Sequence, residues 1–212
     1  MLFVDARALS ASQCDLSALT LIGRGSKRDC YTHPHDDGLC LKVARDANSA
    51  ACHEQNEVEW RYGQWLEARG VPFRHAARCT GWIQTQRGAA LVVERVRNSD
   101  GTFALTLRDA LLSQRLTLHN AYAMLAELRH WALTHAVVVS DLRSTNLMVR
   151  QADDMHLVFI DGLGARRLGP AFKRQMRMPL LARLKTLRQW RRQKTKTYAA
   201  LAAYSRGEST HQ

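Results

Sequence analysis

Val137-Val138-Val139-Ser140-Asp141-Leu142-Arg143-Ser144-Thr145-Asn146-Leu147-Met148-Val149, followed after a short break by Leu157-Val158-Phe159-Ile160-Asp161-Gly162-Leu163-Gly164, is the stretch whose reading decides the fold. It reads as a β-branched run, a polar loop, a strand, a break, and a second strand ending in an acid and glycines. That layout delivers Asp141, Asn146 and Asp161 to the loops at strand ends. Carboxylates and an amide carbonyl are hard oxygen ligands, the set that holds Mg²⁺ while leaving positions for phosphate oxygens. An Asp-x-x-x-x-Asn spacing alone carries little information. Its tandem with Asp161-Gly162, between apolar strands, is much rarer by chance.

Working outward, the 212 residues suit one compact unit, or two small lobes around a cleft. An apolar content of 46% is that of a globular protein and argues against disorder. No apolar run approaches the roughly 20 residues needed to span a bilayer. At the N-terminus, Met1-Leu2-Phe3-Val4-Asp5 is too short an apolar run for a signal peptide and has no basic region before it. Cys14, Cys30, Cys40, Cys52 and Cys79 are odd in number and show no Cys-x-x-Cys pair, which reads as a reduced, cytoplasmic protein. Cys30, His33, His35 and Cys40 have the chemistry of zinc ligands, but their spacing fits no common metal module.

The formal charge is +12, and its distribution matters more than its size. Between Asp161 and Glu208 no acid occurs, while lysines and arginines recur from Arg166 to Arg206. A one-signed block is either a solvated basic helix or the footprint of an anionic partner. Leu180, Leu184, Leu187 and Tyr198–Leu201 recur near helical spacing, with Trp190 close to the stripe, which predicts a helix packing on the core. Its basic face fits an acidic membrane surface, a lipopolysaccharide precursor or nucleic acid, with Trp190 available to an interface or a stacked base.

Upstream, Ala18–Ile22 reads as a strand entering Gly23-Arg24-Gly25-Ser26, with a second strand around Asp29–Tyr31. A hairpin with such a turn lets backbone approach a phosphate closely, or is an ordinary turn. Leu39–Ala44 is an alternating strand with Lys42 inside it, placed either to snorkel or to meet an anion. Residues 49–68 read as a helix with Val58, Tyr62, Trp65 and Leu66 as its apolar stripe, ended by Gly70-Val71-Pro72. Glu54 aligns with that stripe and Glu57 lies at its edge. Two further strands, 76–85 and 89–95, flank the turn Gln86-Arg87-Gly88. Thr106 is a cap for a helix with Asp109 at its third position, and Thr117 or Asn120 caps a second helix that runs to His135.

In this order the Gly-rich hairpin, Leu41-Lys42-Val43, the Glu57-bearing helix, Asp141-Leu142-Arg143-Ser144-Thr145-Asn146 and Asp161-Gly162 resemble the protein-kinase-like superfamily over residues 18–165. Lys27–Pro34, Asn56–Tyr62 and Leu142–Leu147 are similar to segments of the PhoP regulatory network protein YrbL family of small bacterial proteins.

The resemblance implies an α+β, small two-lobed protein kinase-like fold with a truncated C-lobe and a basic C-terminal helix. Its lobes would be residues 1–96 and 97–212. It implies ATP and Mg²⁺ as cofactors. Lys42 would meet the α- and β-phosphates, with Glu57, preferred over Glu54 on the family pattern, orienting it. Gly23, Gly25 and Ser26 would cover the phosphates, and backbone around Glu94 and Val96 would meet the adenine. Asn146 and Asp161 would hold Mg²⁺. Asp141 would accept the proton of the attacking hydroxyl, with Arg143 near the transferred group. Val139-Ser140 stands where such kinases carry His-Arg, Leu163 departs from Phe-Gly, and no Ala-Pro-Glu follows. These departures point away from a peptide platform, toward a non-protein or envelope-related acceptor. They also leave open a catalytically weak nucleotide-binding module acting through its basic tail. The expected location is cytoplasmic, or peripheral at the inner membrane.

Overall fold

The computed structural model describes residues 13–208, so Met1–Asp5 lies outside the described residues. The chain is mixed α+β, with two antiparallel sheets and five α-helices among the described residues. It divides into two compact units. One takes the chain up to Gln64 together with Arg78–Arg95; the other takes Trp65–Ala77 and the chain from Val96 onward. The contiguous division expected after residue 96 therefore needs a correction. Residues 65–77 join the second unit because its groups satisfy them: Trp131 Nε1 donates to the Pro72 carbonyl (3.1 Å), and His75 Nδ1 donates to the Leu157 carbonyl (2.7 Å).

The first unit is a five-stranded sheet in the order β1-β2-β3-β5-β4: β1 (Leu21–Arg24), β2 (Arg28–Thr32), β3 (Leu39–Ala44), β4 (Cys79–Thr85) and β5 (Gly88–Glu94). The strand expected over Ala18–Ile22 begins later. Asp15 accepts from the Ser17 amide and holds Leu16–Ala18 in a 3₁₀ turn instead. Leu41 and Val43 pack with Ala90 and Val92, beneath Leu16 and Leu19. Because side chains alternate along a strand, Lys42 projects from the opposite face. The helix α1 (Ala50–Ala68) begins in this unit and binds that strand through Asn56, whose Nδ2 donates to the Lys42 carbonyl (2.8 Å).

The second unit carries the sheet β6 (Leu105–Thr106), β7 (Leu147–Gln151) and β8 (Met155–Phe159), with α2 (Leu107–Leu112), α3 (Leu118–Thr134), α4 (Pro170–Arg177) and α5 (Pro179–Ser205). Thr106 forms a reciprocal cap: its hydroxyl accepts from the Asp109 amide (3.1 Å) and donates to the Asp109 carboxylate (2.7 Å). Thr117, not Asn120, caps α3. Val137–Val139 is fully buried but is no strand, meeting Leu163 through one isolated bridge at Val139. The Val137 amide donates to the Ala132 carbonyl of α3 (2.7 Å), and Thr186 of α5 satisfies the Val139 amide and the Val137 carbonyl.

That helix corrects the first part of the expected stripe and keeps the part around Trp190 and Leu201. Leu180 and Leu184 are exposed, whereas Ala182, Thr186, Trp190, Thr197, Leu201 and Tyr204 form the buried face. Thr186 and Thr197 face inward among them because the helix packs on irregular backbone that needs hydrogen-bond partners.

Candidate functional site

In the first unit the functional chemistry gathers around Lys42. Its ammonium donates to Glu59 Oε1 (2.5 Å), and Arg28 Nη1 donates to the other carboxylate oxygen (2.5 Å) and to Asn56 Oδ1 (2.9 Å). Lys42, Arg28 and Asn56 are all buried. The acid on Lys42 is thus Glu59, which corrects the assignment to Glu57 and the alternative Glu54. Glu57 instead binds Arg61 one turn on (2.7 Å). The reason is helical phase: Cys52, Asn56, Glu59, Tyr62 and Leu66 share one inward face of the helix, and Glu57 lies off it.

Arg28, Asn56 and Glu59 are the site residues that the sequence reading missed. The signal was present, because Asn56 and Glu59 sit three residues apart in phase with Cys52 and Leu66. Two buried cations on one half-buried carboxylate also make this face electropositive. The Cys30 thiol, cross-strand from Lys42, has its pKa pulled down, first by its hydrogen bond with Cys40 and then, against burial, by the charges of Lys42 and Arg28.

The glycine turn is more self-contained than expected. The Gly25 amide donates to the Arg28 carbonyl (2.8 Å), and a Cβ at Gly25 would lie 2.9 Å from that same oxygen. Gly25 is therefore required by the turn itself. Gly23 sits at the β1–β2 register shift, and Ser26 is exposed at the turn. At the end of β5 the Glu94 amide donates to the Arg78 carbonyl (2.9 Å). The Val96 carbonyl, in the second unit, accepts from Ala104 (3.0 Å).

In the second unit, backbone bonds bring Asp141, Asn146 and Asp161 to neighbouring positions. Ser140 and Asp141 amides both donate to the Gly162 carbonyl (2.8 and 3.1 Å), and the Gly164 amide donates to Val138 (2.8 Å). The Ile160 amide donates to the Asn146 carbonyl (3.0 Å). Gly162 has φ +91°, and a Cβ there would stand 2.3 Å from the Asp141 carbonyl oxygen. Only glycine lets the two loops approach this closely.

Two guanidinium nitrogens of Arg143 reach Asp141 Oδ2 (2.7 and 2.8 Å). Asn146 Nδ2 is buried without a hydrogen-bond partner among the described residues. An amide uncommitted at one end costs free energy as it stands and is able to turn its carbonyl to a cation. Asp161 follows Ile160 in the chain, and a carboxylate with an amide carbonyl is a donor set that fits a hard divalent ion such as Mg²⁺.

The same loop is held from the other side by a polar ladder on α5. Thr186 accepts from the Val139 amide (3.0 Å) and donates to the Val137 carbonyl (2.7 Å). Gln189 donates to the Ser140 carbonyl (2.5 Å). Gln193 accepts from the Leu142 amide (2.6 Å) and reaches Asp141 Oδ1 (3.5 Å), and Thr197 donates to the Leu142 carbonyl (3.1 Å). Spacings of three and four residues put all four on one helix face. Each rung fixes backbone next to Asp141, so the tail is part of the site's scaffold. Trp190 is 5% exposed and is a packing residue, which corrects its reading as a surface stacking group.

The sequence profile of the family described as PhoP regulatory network protein YrbL matches residues 14–198, which includes the whole ladder. A protein of Escherichia coli (strain K12) titled "Uncharacterized protein YrbL" is 23% identical over 159 residues, covering 73% of this chain and 75% of that protein. The protein of the same title from Shigella flexneri matches to the same extent.

Proposed function

The chain belongs to the PhoP regulatory network protein YrbL family, and we propose that it is a protein kinase-like, ATP- and Mg²⁺-dependent phosphotransferase with a non-protein or envelope-related acceptor. The observation that carries this reading is the gathering of Asp141, Asn146 and Asp161 by the bonds of Gly162 and Ile160, with an Asn146 amide left uncommitted at one end. The Lys42–Glu59 pair supports it from the first unit. The two units would act as the lobes of one kinase-like fold, and the chain would work in the cytoplasm of a bacterium.

Mg-ATP, when bound, supplies the phosphoryl group and the cation that neutralises it. Asn146 and Asp161 would hold the cation, and Lys42, steadied by Glu59, would bind the α- and β-phosphates. Gly23, Gly25 and Ser26 would lie over the phosphates as a turn, with backbone at Glu94 and Val96 toward the base. Asp141 would take the proton of the attacking hydroxyl, and the Arg143 guanidinium would offset charge on the transferred group.

One observation favours a second reading, a nucleotide-binding module with little catalysis. The Asp141 carboxylate is engaged by Arg143 and Gln193, so a base role requires Arg143 to let go. Transfer of labelled γ-phosphate from Mg-ATP to protein, lipid, lipopolysaccharide and RNA fractions of a bacterial extract separates the two. The phosphotransferase reading expects label in one non-protein fraction with the wild type and at least about a hundredfold less with Asp141→Asn. Equal Mg-ATP binding by both proteins with no transfer would leave the second reading standing.

A further inference from the structure

Six large apolar side chains are exposed among the described residues, and three of them fall within seven consecutive positions: Met178 (48%), Leu180 (66%) and Leu184 (39%). Leu180 and Leu184 lie one turn apart on the outer face of α5, opposite the ladder that binds the Asp141 loop. Single exposed leucines are ordinary, whereas a cluster with a charged border marks an interaction surface. The border here is uniformly basic. Arg177 precedes Leu180 by three residues, Arg188 follows Leu184 by four, Arg174, Arg191 and Arg192 are exposed, and no acid occurs between Asp161 and Glu208.

We propose that the α4–α5 corner docks on an anionic phospholipid surface, with Met178, Leu180 and Leu184 entering the headgroup region and the flanking arginines binding lipid phosphates. Guanidinium groups pair with phosphate oxygens, and an interfacial helix combines an apolar face with cations at its margins. Three features select this occupant. Nucleic acid would satisfy the arginines but offers nothing to aliphatic side chains; its apolar contacts are base stacks on aromatic rings. Of the α4–α5 aromatics, Phe172, Trp190 and Tyr204 are buried, and the half-buried Tyr198 is already packed edge-on against Tyr122 of α3. A second copy of the chain would bring the same uncompensated positive face against this one. The surface lies outside the residues assigned to phosphoryl transfer, so it stands whether or not the chain is an enzyme.

Co-sedimentation of the full chain with vesicles of phosphatidylethanolamine and phosphatidylglycerol, against phosphatidylcholine vesicles, tests this. The wild type should sediment with the anionic vesicles only. Leu180→Ser/Leu184→Ser should bind them about tenfold more weakly, the loss of part of two leucines' burial, with unchanged helix content because both positions face solvent. Arg188→Glu should also bind more weakly. Equal sedimentation of the serine variant, no sedimentation of the wild type, or preferential capture by single-stranded RNA that the serine substitutions leave unchanged would each overturn the proposal.

Discussion

Glu59→Gln should destabilise the chain by about 3 kcal/mol, read as a lower urea midpoint, while Glu57→Gln should change it by no more than about 0.5 kcal/mol. Glu59 is the carboxylate shared by Lys42 and Arg28, both buried. Neutralising it leaves two cations a few ångströms apart in a site from which water is largely excluded. Removing one member of a buried charged set costs far more than the set contributes in total. Glu57 makes only an i,i+4 pair with the half-exposed Arg61, the kind of contact that salt and side-chain entropy nearly cancel. Under the proposed function Glu59→Gln also loosens Lys42. Equal midpoints for the two variants would mean that the assignment to Glu59 is wrong.

Gly162→Ala should cost about 3 kcal/mol or more and weaken any activity that depends on Asp141. The methyl group meets the Asp141 carbonyl at 2.3 Å, a backbone atom that cannot rotate away, at a φ of +91° that alanine disfavours. The Ser140, Asp141 and Gly162 hydrogen bonds must shift for it to fit. Gly70→Ala is the control. Its φ is +66° with nothing within 4 Å of the new Cβ, so it should show the conformational cost alone, about 1 kcal/mol. If both substitutions cost the same, the two loops are not as closely apposed as described.

Local chemistry was legible in the sequence where a short-range rule fixed it. The alternation of Leu39–Ala44, the Thr106–Asp109 cap and the glycine ending the Asp161 strand each depend on neighbours within a few residues. The acid on Lys42 was not legible: the family pattern pointed to Glu57, and the stripe of Val58, Tyr62, Trp65 and Leu66 pointed to Glu54. Including the buried Cys52 and Asn56 rotates the inward face onto Glu59. The tail failed for a related reason. Leucines at helical spacing signal a buried stripe only when the surface they meet is apolar. Here α5 meets irregular backbone around Asp141, so threonines and glutamines turn inward and Leu180 and Leu184 face out. Which backbone a helix will meet is a tertiary fact with no local signature.

Calorimetric titration of ATP into the wild type and Asp161→Asn, with and without Mg²⁺, tests the central claim most directly. The account predicts saturable binding by the wild type that requires Mg²⁺ and is lost in Asp161→Asn while the fold is retained. Absence of binding by the wild type, or binding indifferent to both Mg²⁺ and Asp161, would contradict it.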